Sequence, residues 1–135
     1  GLRDFLQDPK LVFTTHDCRG DCDILYHTHN VRLVNVIDTQ VTYALYTQQT
    51  KSFYPLPIGL NRLLSLFAKG NINRMKDEAR EEMINDDKYW ERRPLTVVMA
   101  QYASEDVLYL SLALKQMWTV MNPIYREHAK KVSME

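Results

Sequence analysis

Three aspartates crowd the segment that follows a short apolar run near the start of the chain. The apolar run covers residues 10–15, and Asp17, Asp21 and Asp23 come directly after it. Carboxylates at the carboxyl end of a strand lie where open α/β sheets bind ligands, and they are oxygen ligands for hard cations. The alternative is helix capping, because aspartate is favoured at helix N-termini. Capping accounts for one aspartate and not for three, so the pattern weakly favours a metal site.

A tyrosine and an aspartate stand four residues apart at Tyr102 and Asp106. On a helix this spacing puts both side chains on one face. Apolar neighbours at Val98, Met99 and Leu110 indicate that this face points inward. A buried aspartate is costly without a partner, and a divalent cation is one such partner. The alternative is an ordinary hydrogen-bonded pair, which the spacing alone favours.

A third polar stretch runs from residue 89 to residue 95 and holds Trp90, Arg92 and Arg93 ahead of a proline. This composition predicts a structured turn. The planar guanidinium groups suit phosphate oxygens. The alternative is that Arg92 or Arg93 caps the carbonyl end of the preceding helix.

The cysteines allow a zinc site as a minor alternative, with ligands from His16, Cys18, Cys22 and His27. The pattern is not that of a zinc finger, because the two cysteines are not followed by a distant histidine pair of the required spacing and no second cysteine pair exists. Two thiols, six methionines and no secretory signal predict a reducing compartment, so we expect an intracellular protein, cytoplasmic or nuclear.

The charge balance limits what the chain as a whole can bind. Seventeen basic residues balance seventeen acidic ones over 135 residues. No general field therefore draws the chain to nucleic acid or to an anionic membrane, so such contacts need a local patch or bound metal ions. The length predicts at most one domain, and no apolar run is long enough to span a membrane.

The apolar periodicity predicts two strands among helices. Strands are expected at 10–15 and 32–37, with a helix at 21–29 between them. Further helices are expected at 2–7, 39–47 (with Asp38 as N-cap), 59–68, 74–85 and 96–121 (bent near Ser104), and after Pro123. The charged run at 77–82 is expected to be a solvated helix face. Two strands alone form a marginal sheet, so we expect further strands from outside this sequence.

Together these stretches resemble DEDD-type 3′–5′ exonucleases of the ribonuclease D branch. Residues 10–21 are similar to the second motif, in which an apolar strand leads through a histidine to a catalytic aspartate on the next helix. Asp38-Thr-Gln40 resembles an internal motif of the branch. Residues 90–95, followed by Tyr102-x-x-x-Asp106, resemble the third motif of the tyrosine subclass, DEDDy. Residues 71–90, with Lys76 ahead of a tryptophan, resemble the Egalitarian-like subgroup of germ-line RNA proteins.

The resemblance implies a ribonuclease H-like α/β fold, of which residues 1–135 would be the helix-rich C-terminal part with two parallel strands. It implies hydrolysis at the 3′ end of single-stranded RNA or DNA with two Mg²⁺ or Mn²⁺ ions. Asp106 would hold the metal that carries the attacking water, Asp21 would hold the second metal, and Tyr102 would orient the water. The two carboxylates are then expected within about 8 Å of each other, the span of a metal pair and its waters.

The remaining residues of these motifs are expected to have supporting roles. By resemblance, nucleic acid would contact Lys76, Arg92 and Arg93. The site would be supported by His16, Asp38 and Trp90.

One family feature has no counterpart here, since the first motif, Asp-x-Glu on an upstream strand, is absent from the sequence. We therefore expect a partial exonuclease domain with weak or undetectable activity by itself. The alternative is a catalytically inactive RNA-binding or scaffold adaptor of RNA transport or a small-RNA pathway, with protein partners in such a complex. Retention of Asp21, Tyr102 and Asp106 favours the enzyme, whereas the subgroup resemblance favours the adaptor.

Overall fold

A two-stranded parallel sheet forms within the first 38 residues of the chain. The structure is a computed structural model that describes residues 1–134, without the side chains of residues 77 and 78. Strand β1 (Phe13–Thr15) pairs with β2 (Val36–Asp38), with Phe13 opposite Val36. Helix α2 (Arg19–His29) connects them. This arrangement confirms the prediction of two parallel strands joined through a helix.

The helices account for most of the remaining chain. They are α1 (Leu2–Leu6), α3 (Thr39–Lys51), α4 (Leu60–Phe67), α5 (Met75–Asn85), α6 (Val97–Leu108), α7 (Leu110–Val120) and α8 (Pro123–Val132), with a 3₁₀ turn at Tyr89–Glu91. The predicted solvated face at 77–82 lies partly outside the described residues. Of its described members, residues 80–82 are exposed, whereas Ala79 is buried.

Both strands are shorter than the apolar runs predicted. The first run was expected to be extended from residue 10, but Asp8 forms a turn that accepts hydrogen bonds from the Lys10 and Leu11 amides at 2.9 and 3.1 Å. Pairing therefore starts only at Phe13. The second strand starts at Val36 instead of residue 32 and ends at Asp38. Helix α2 begins at Arg19, two residues before the predicted start.

The long helix predicted at 96–121 is two helices. The break lies at Tyr109, whose φ of −105° and ψ of 2° depart from helical geometry, and not near Ser104 as predicted. Because of this break, α7 can turn and pack on α3, α4 and β1, while α6 packs on α5. The segment that carries Tyr102 and Asp106 is thus anchored by the α5–α6 contact.

The main hydrophobic core lies between α3, α4, α7 and α8. Its buried members are Leu45, Leu60, Leu63, Leu64, Ala68, Leu110, Ala113, Met117, Met121 and Ala129. Met117 and Met121 are almost fully buried in this core. Within the described residues, no helix is both long and apolar enough to span a membrane.

Candidate active site

The Asp38 carboxylate ties the start of α2 to the start of α3. It accepts hydrogen bonds from the amides of Gln40 at 2.7 Å, Asp17 at 3.0 Å and Cys18 at 3.0 Å. The Gln40 bond is the predicted N-cap of α3. Asp38 is only 3% exposed, so these three amides have a buried acceptor. The loop that precedes Asp21 is therefore fixed to the end of β2.

His16 connects the same region to the loop before α4. One ring nitrogen, Nε2, lies 3.0 Å from the Ile58 carbonyl, to which it can only donate. The other, Nδ1, lies 2.9 Å from the Thr39 hydroxyl. These contacts join β1, the start of α3 and the loop that leads to α4. The supporting role expected of His16 and Asp38 stays a prediction, with these contacts as its physical basis.

Asp21 lies in the first turn of α2 with its side chain exposed to solvent. The N-cap residue of α2 is Cys18, which makes no side-chain capping bond. Asp17 adopts a left-handed turn conformation with a φ of 53° and pairs with Arg19 at 3.0 Å. Asp21 makes no capping hydrogen bond, but its place in the first turn of α2 is one that the helix dipole favours for a carboxylate, so the alternative explanation still applies to it.

Tyr102 and Asp106 lie on one half-buried face of α6, as their spacing predicted. The Trp90 ring meets the Tyr102 ring edge-on, with centroids 5.6 Å apart. Burial, followed by the negative charge of Asp106, raises the pKa of Tyr102 above its ordinary value. The phenol is therefore neutral at physiological pH, and its hydroxyl can donate a hydrogen bond.

Asn73 and Lys76 complete the surroundings of Asp106. The Asn73 amide nitrogen donates to Asp106 Oδ1 at 2.8 Å. The Lys76 ammonium lies 3.3 Å from the same oxygen and 5.9 Å from the centre of the Tyr102 ring. Asn73 was not among the predicted site residues, and it lies between the helices expected at 59–68 and 74–85. No local pattern signals a contact between residues 33 positions apart.

The two arginines of the third polar stretch bind protein groups. Arg92 forms a bidentate contact with Asp86 through Nε at 3.0 Å and Nη2 at 2.6 Å. This hydrogen bonding raises the pKa of Arg92. Arg93 donates to the carbonyls of Trp90 and Arg92 at 3.0 and 2.7 Å. Arg93 thus caps carbonyls of the 3₁₀ turn and not the end of α5, which the capping alternative named, and nucleic-acid binding by either arginine stays a prediction.

The acidic side chains form only a partial ligand set for a metal. Apart from residues 77, 78 and 135, no three His, Cys, Asp or Glu side chains are grouped closely enough to hold an ion. The zinc site considered for His16, Cys18, Cys22 and His27 is therefore not assembled among the described residues. Asp106 and Asp21 offer oxygen ligands of the type that Mg²⁺ and Mn²⁺ prefer. Their separation, expected to be about 8 Å or less, stays a prediction.

We predict that the two cysteines differ strongly in reactivity. Burial is the main cause that raises the pKa of Cys18 to about 12, and its side chain is 5% exposed. At pH 8 only about one Cys18 in ten thousand is then a thiolate. Iodoacetamide is expected to modify the half-exposed Cys22 at least about tenfold faster. Mass spectrometry of tryptic peptides separates the two sites, and equal rates would contradict the buried position of Cys18.

A comparison with protein families matches most of the chain. A family model described as a 3′-5′ exonuclease matches residues 1–122. Mouse (Mus musculus) piRNA biogenesis protein EXD1 is 27% identical over 120 residues, which cover 82% of this chain and 20% of that protein. Ribonuclease D of Pseudomonas paraeruginosa is 29% identical over 108 residues, which cover 80% of this chain and 25% of that protein. The chain thus spans a quarter or less of these relatives.

The fold is similar to that of a solved ribonuclease. The crystal structure of Trypanosoma brucei RNase D in complex with GMP matches with a TM-score of 0.77 and 21% sequence identity. The match covers 99% of this chain and 43% of the other. The described part therefore has the ribonuclease H-like exonuclease fold that the motifs implied. With the family model matched over residues 1–122, the chain belongs to the 3′–5′ exonuclease family, as a DEDD-type domain.

Proposed function

We propose that this chain supplies the second and third motifs of a metal-dependent 3′–5′ exonuclease that trims single-stranded RNA or DNA. The observation that carries the proposal is the pairing of Tyr102 and Asp106 on one face of α6, beside Trp90. A protein that used the fold only as a scaffold would have no need for a neutral phenol and a carboxylate on one partly accessible face. Membership of the exonuclease family supports the same interpretation.

In this proposal Asp106 and Asp21 are ligands for Mg²⁺ or Mn²⁺. Both are carboxylates with accessible surface, Asp106 having a side chain 31% exposed and Asp21 lying on an open helix turn. When bound, a metal pair makes a nucleophile from water and stabilises the leaving oxygen of the phosphodiester. The hydrogen bond from Asn73 orients the Asp106 carboxylate. Asp21 is oriented by the fixed start of α2, which depends on Asp38.

We assign Tyr102 the role of orienting the attacking water. Its hydroxyl can donate a hydrogen bond and stays protonated at physiological pH, because burial and the charge of Asp106 raise the pKa of Tyr102. A phenol of this kind positions a water and does not remove its proton. Trp90 limits the movement of the Tyr102 ring by its edge-on contact.

The complete site requires further carboxylates. No Asp-x-Glu occurs in the 135 residues, and the described acidic groups form no larger cluster. We propose that the first motif is supplied by a strand from outside this sequence, and that residues 1–135 correspond to part of the catalytic domain. Nucleic acid would contact Lys76, Arg92 and Arg93, with the two arginines changing partners from protein groups to phosphate.

An RNA-binding adaptor without catalysis is the second candidate function. Its support is the similarity to proteins named piRNA biogenesis protein EXD1, including 42% identity over 55 residues with that of Bombyx mori. An adaptor would bind RNA and protein partners without trimming. Activity separates the two candidates, since an adaptor leaves the 3′ end intact with either metal.

Replacing Tyr102 with phenylalanine tests the proposed role of its hydroxyl. We expect the trimming rate of the full-length protein to fall about tenfold, the value of one well-placed hydrogen bond, with little change in metal affinity. The measurement is shortening of 5′-labelled single-stranded RNA in Mg²⁺, followed by gel electrophoresis. Tyr109→Phe, on the break between α6 and α7, is the matched control and should keep the full rate. An unchanged rate in Tyr102→Phe would show that the hydroxyl does not act on the water.

A further inference from the structure

Two contacts to Asp106 converge on a single carboxylate oxygen. Asn73 Nδ2 and Lys76 Nζ lie 2.8 and 3.3 Å from Oδ1. Among the hydrogen bonds and ion pairs of the described residues, none involves Oδ2. A carboxylate held through one oxygen in this way presents the other oxygen to a ligand. At Asp106, Oδ1 is therefore bound by protein groups, whereas Oδ2 is open to a ligand.

Asn73 is positioned more rigidly than its loop location suggests. Its side chain is 1% exposed, and its amide nitrogen also donates to the Tyr102 carbonyl at 3.0 Å. Its amide oxygen accepts from the Met75 amide at 2.9 Å. Its backbone exchanges two hydrogen bonds with the Asn61 side chain, each 2.9 Å long. A buried amide with all these partners has one orientation, so Asn73 fixes the direction of the Asp106 carboxylate.

Lys76 is held much less strongly. The side chains of Lys76 and Asp106 are 30% and 31% exposed, and their ion pair has a length of 3.3 Å. Ion pairs with this exposure contribute little to stability, so a competing charge displaces them readily. A divalent cation at Asp106 is such a competitor, because both cations are attracted to the same carboxylate and repel each other.

We propose that Asn73 and Lys76 are positioning residues with opposite effects on cation binding at Asp106. Asn73 favours binding by directing Oδ2 towards the ion. Lys76 opposes binding as a resident counter-ion that the metal displaces, and its ammonium group is then free beside the Tyr102 ring. This inference rests on the proposed function, which makes Asp106 a metal ligand.

The test is the affinity of the full-length protein for Mn²⁺, measured from paramagnetic broadening of the backbone amide signals of residues 102–106. Lys76→Met removes the charge and is expected to tighten binding about three- to tenfold. Lys76→Arg keeps the charge and should bind like the wild type. Asn73→Ala should weaken binding about tenfold, as loss of a group that orients a metal ligand does. Lys115→Met, an exposed lysine on α7, is the control and should have no effect.

The opposite signs separate this proposal from a purely structural role, in which every variant weakens binding. Lys76 is half-exposed, so Lys76→Met changes no buried position and the variant should fold. Unchanged or weaker Mn²⁺ binding by Lys76→Met would overturn the counter-ion role. Unchanged binding by a folded Asn73→Ala would overturn the orienting role. If the wild-type protein shows no broadening near Asp106, or if the broadening persists in Asp106→Asn, the metal site of the proposed function itself is overturned.

Discussion

Asp106→Asn is expected to lower the rate of 3′-end trimming by the full-length protein about a thousandfold, or ~4 kcal/mol of transition-state stabilisation. Asparagine keeps the shape of the side chain and an oxygen that can accept from Asn73. It loses the negative charge that would hold the proposed metal, and a metal contributes several kcal/mol to phosphodiester cleavage. The change therefore removes the proposed ligand without removing the local packing.

Glu105→Gln is the matched control for this prediction. Glu105 lies one position earlier on the same helix, about 100° away around its axis, and its carboxylate accepts hydrogen bonds from Gln101 and the Arg74 amide. Hydrogen bonding to Gln101 is the main cause that lowers the pKa of Glu105. The rate should stay within about twofold of the wild type. Equal loss in both variants would assign the effect to the charge of α6 and not to a metal ligand.

Asp38→Ala is expected to have the largest effect on stability, lowering the free energy of unfolding by about 3 kcal/mol or more. The change leaves the amides of Asp17, Cys18 and Gln40 without their acceptor. A buried donor without a partner costs about 1–3 kcal/mol, and loss of a helix N-cap costs about 1 kcal/mol. Equilibrium urea unfolding measures the difference.

Two further variants show whether the Asp38 carboxylate is responsible. Asp38→Asn keeps one acceptor oxygen and should lose less stability than Asp38→Ala. Asp23→Ala removes an exposed carboxylate from the same strand-to-helix region and should change the free energy of unfolding by less than about 0.5 kcal/mol. A loss in Asp38→Ala no larger than in Asp23→Ala would contradict the role of Asp38 as the shared acceptor of both helix starts.

Local patterns in the sequence predicted the features that depend on nearby residues. The four-residue spacing of Tyr102 and Asp106 placed them on one helix face, and Asp38 before a periodic segment predicted an N-cap. The two apolar runs predicted strands that pair in parallel. Such features follow from backbone periodicity and from side chains that accept hydrogen bonds from the nearest backbone amides.

The missed features depend on contacts between distant residues or on competing turns. The turn at Asp8 shortens β1 because its side chain and carbonyl bind the amides that a longer strand would pair. The break at Tyr109 falls within an uninterrupted helical pattern and allows α7 to pack on the core. Asn73 reaches Asp106 through a loop whose path is fixed by Asn61. The Asp8-Pro9 pair is a turn signal that the apolar run outweighed. The break at Tyr109 and the contact of Asn73 have no signal in the spacing of residue types.

The most direct test of the proposed function is the location of Mn²⁺ in crystals of the full-length protein grown with Mn²⁺ and a nucleoside monophosphate. We expect anomalous scattering from Mn²⁺ bound to Asp106 and to Asp21, directly or through a water, with the two carboxylates within about 8 Å. The Tyr102 hydroxyl should lie beside the phosphate. Asp21 and Asp106 carboxylates farther apart than a metal pair can span, or Mn²⁺ bound elsewhere while Asp106 remains free, would contradict the proposed function.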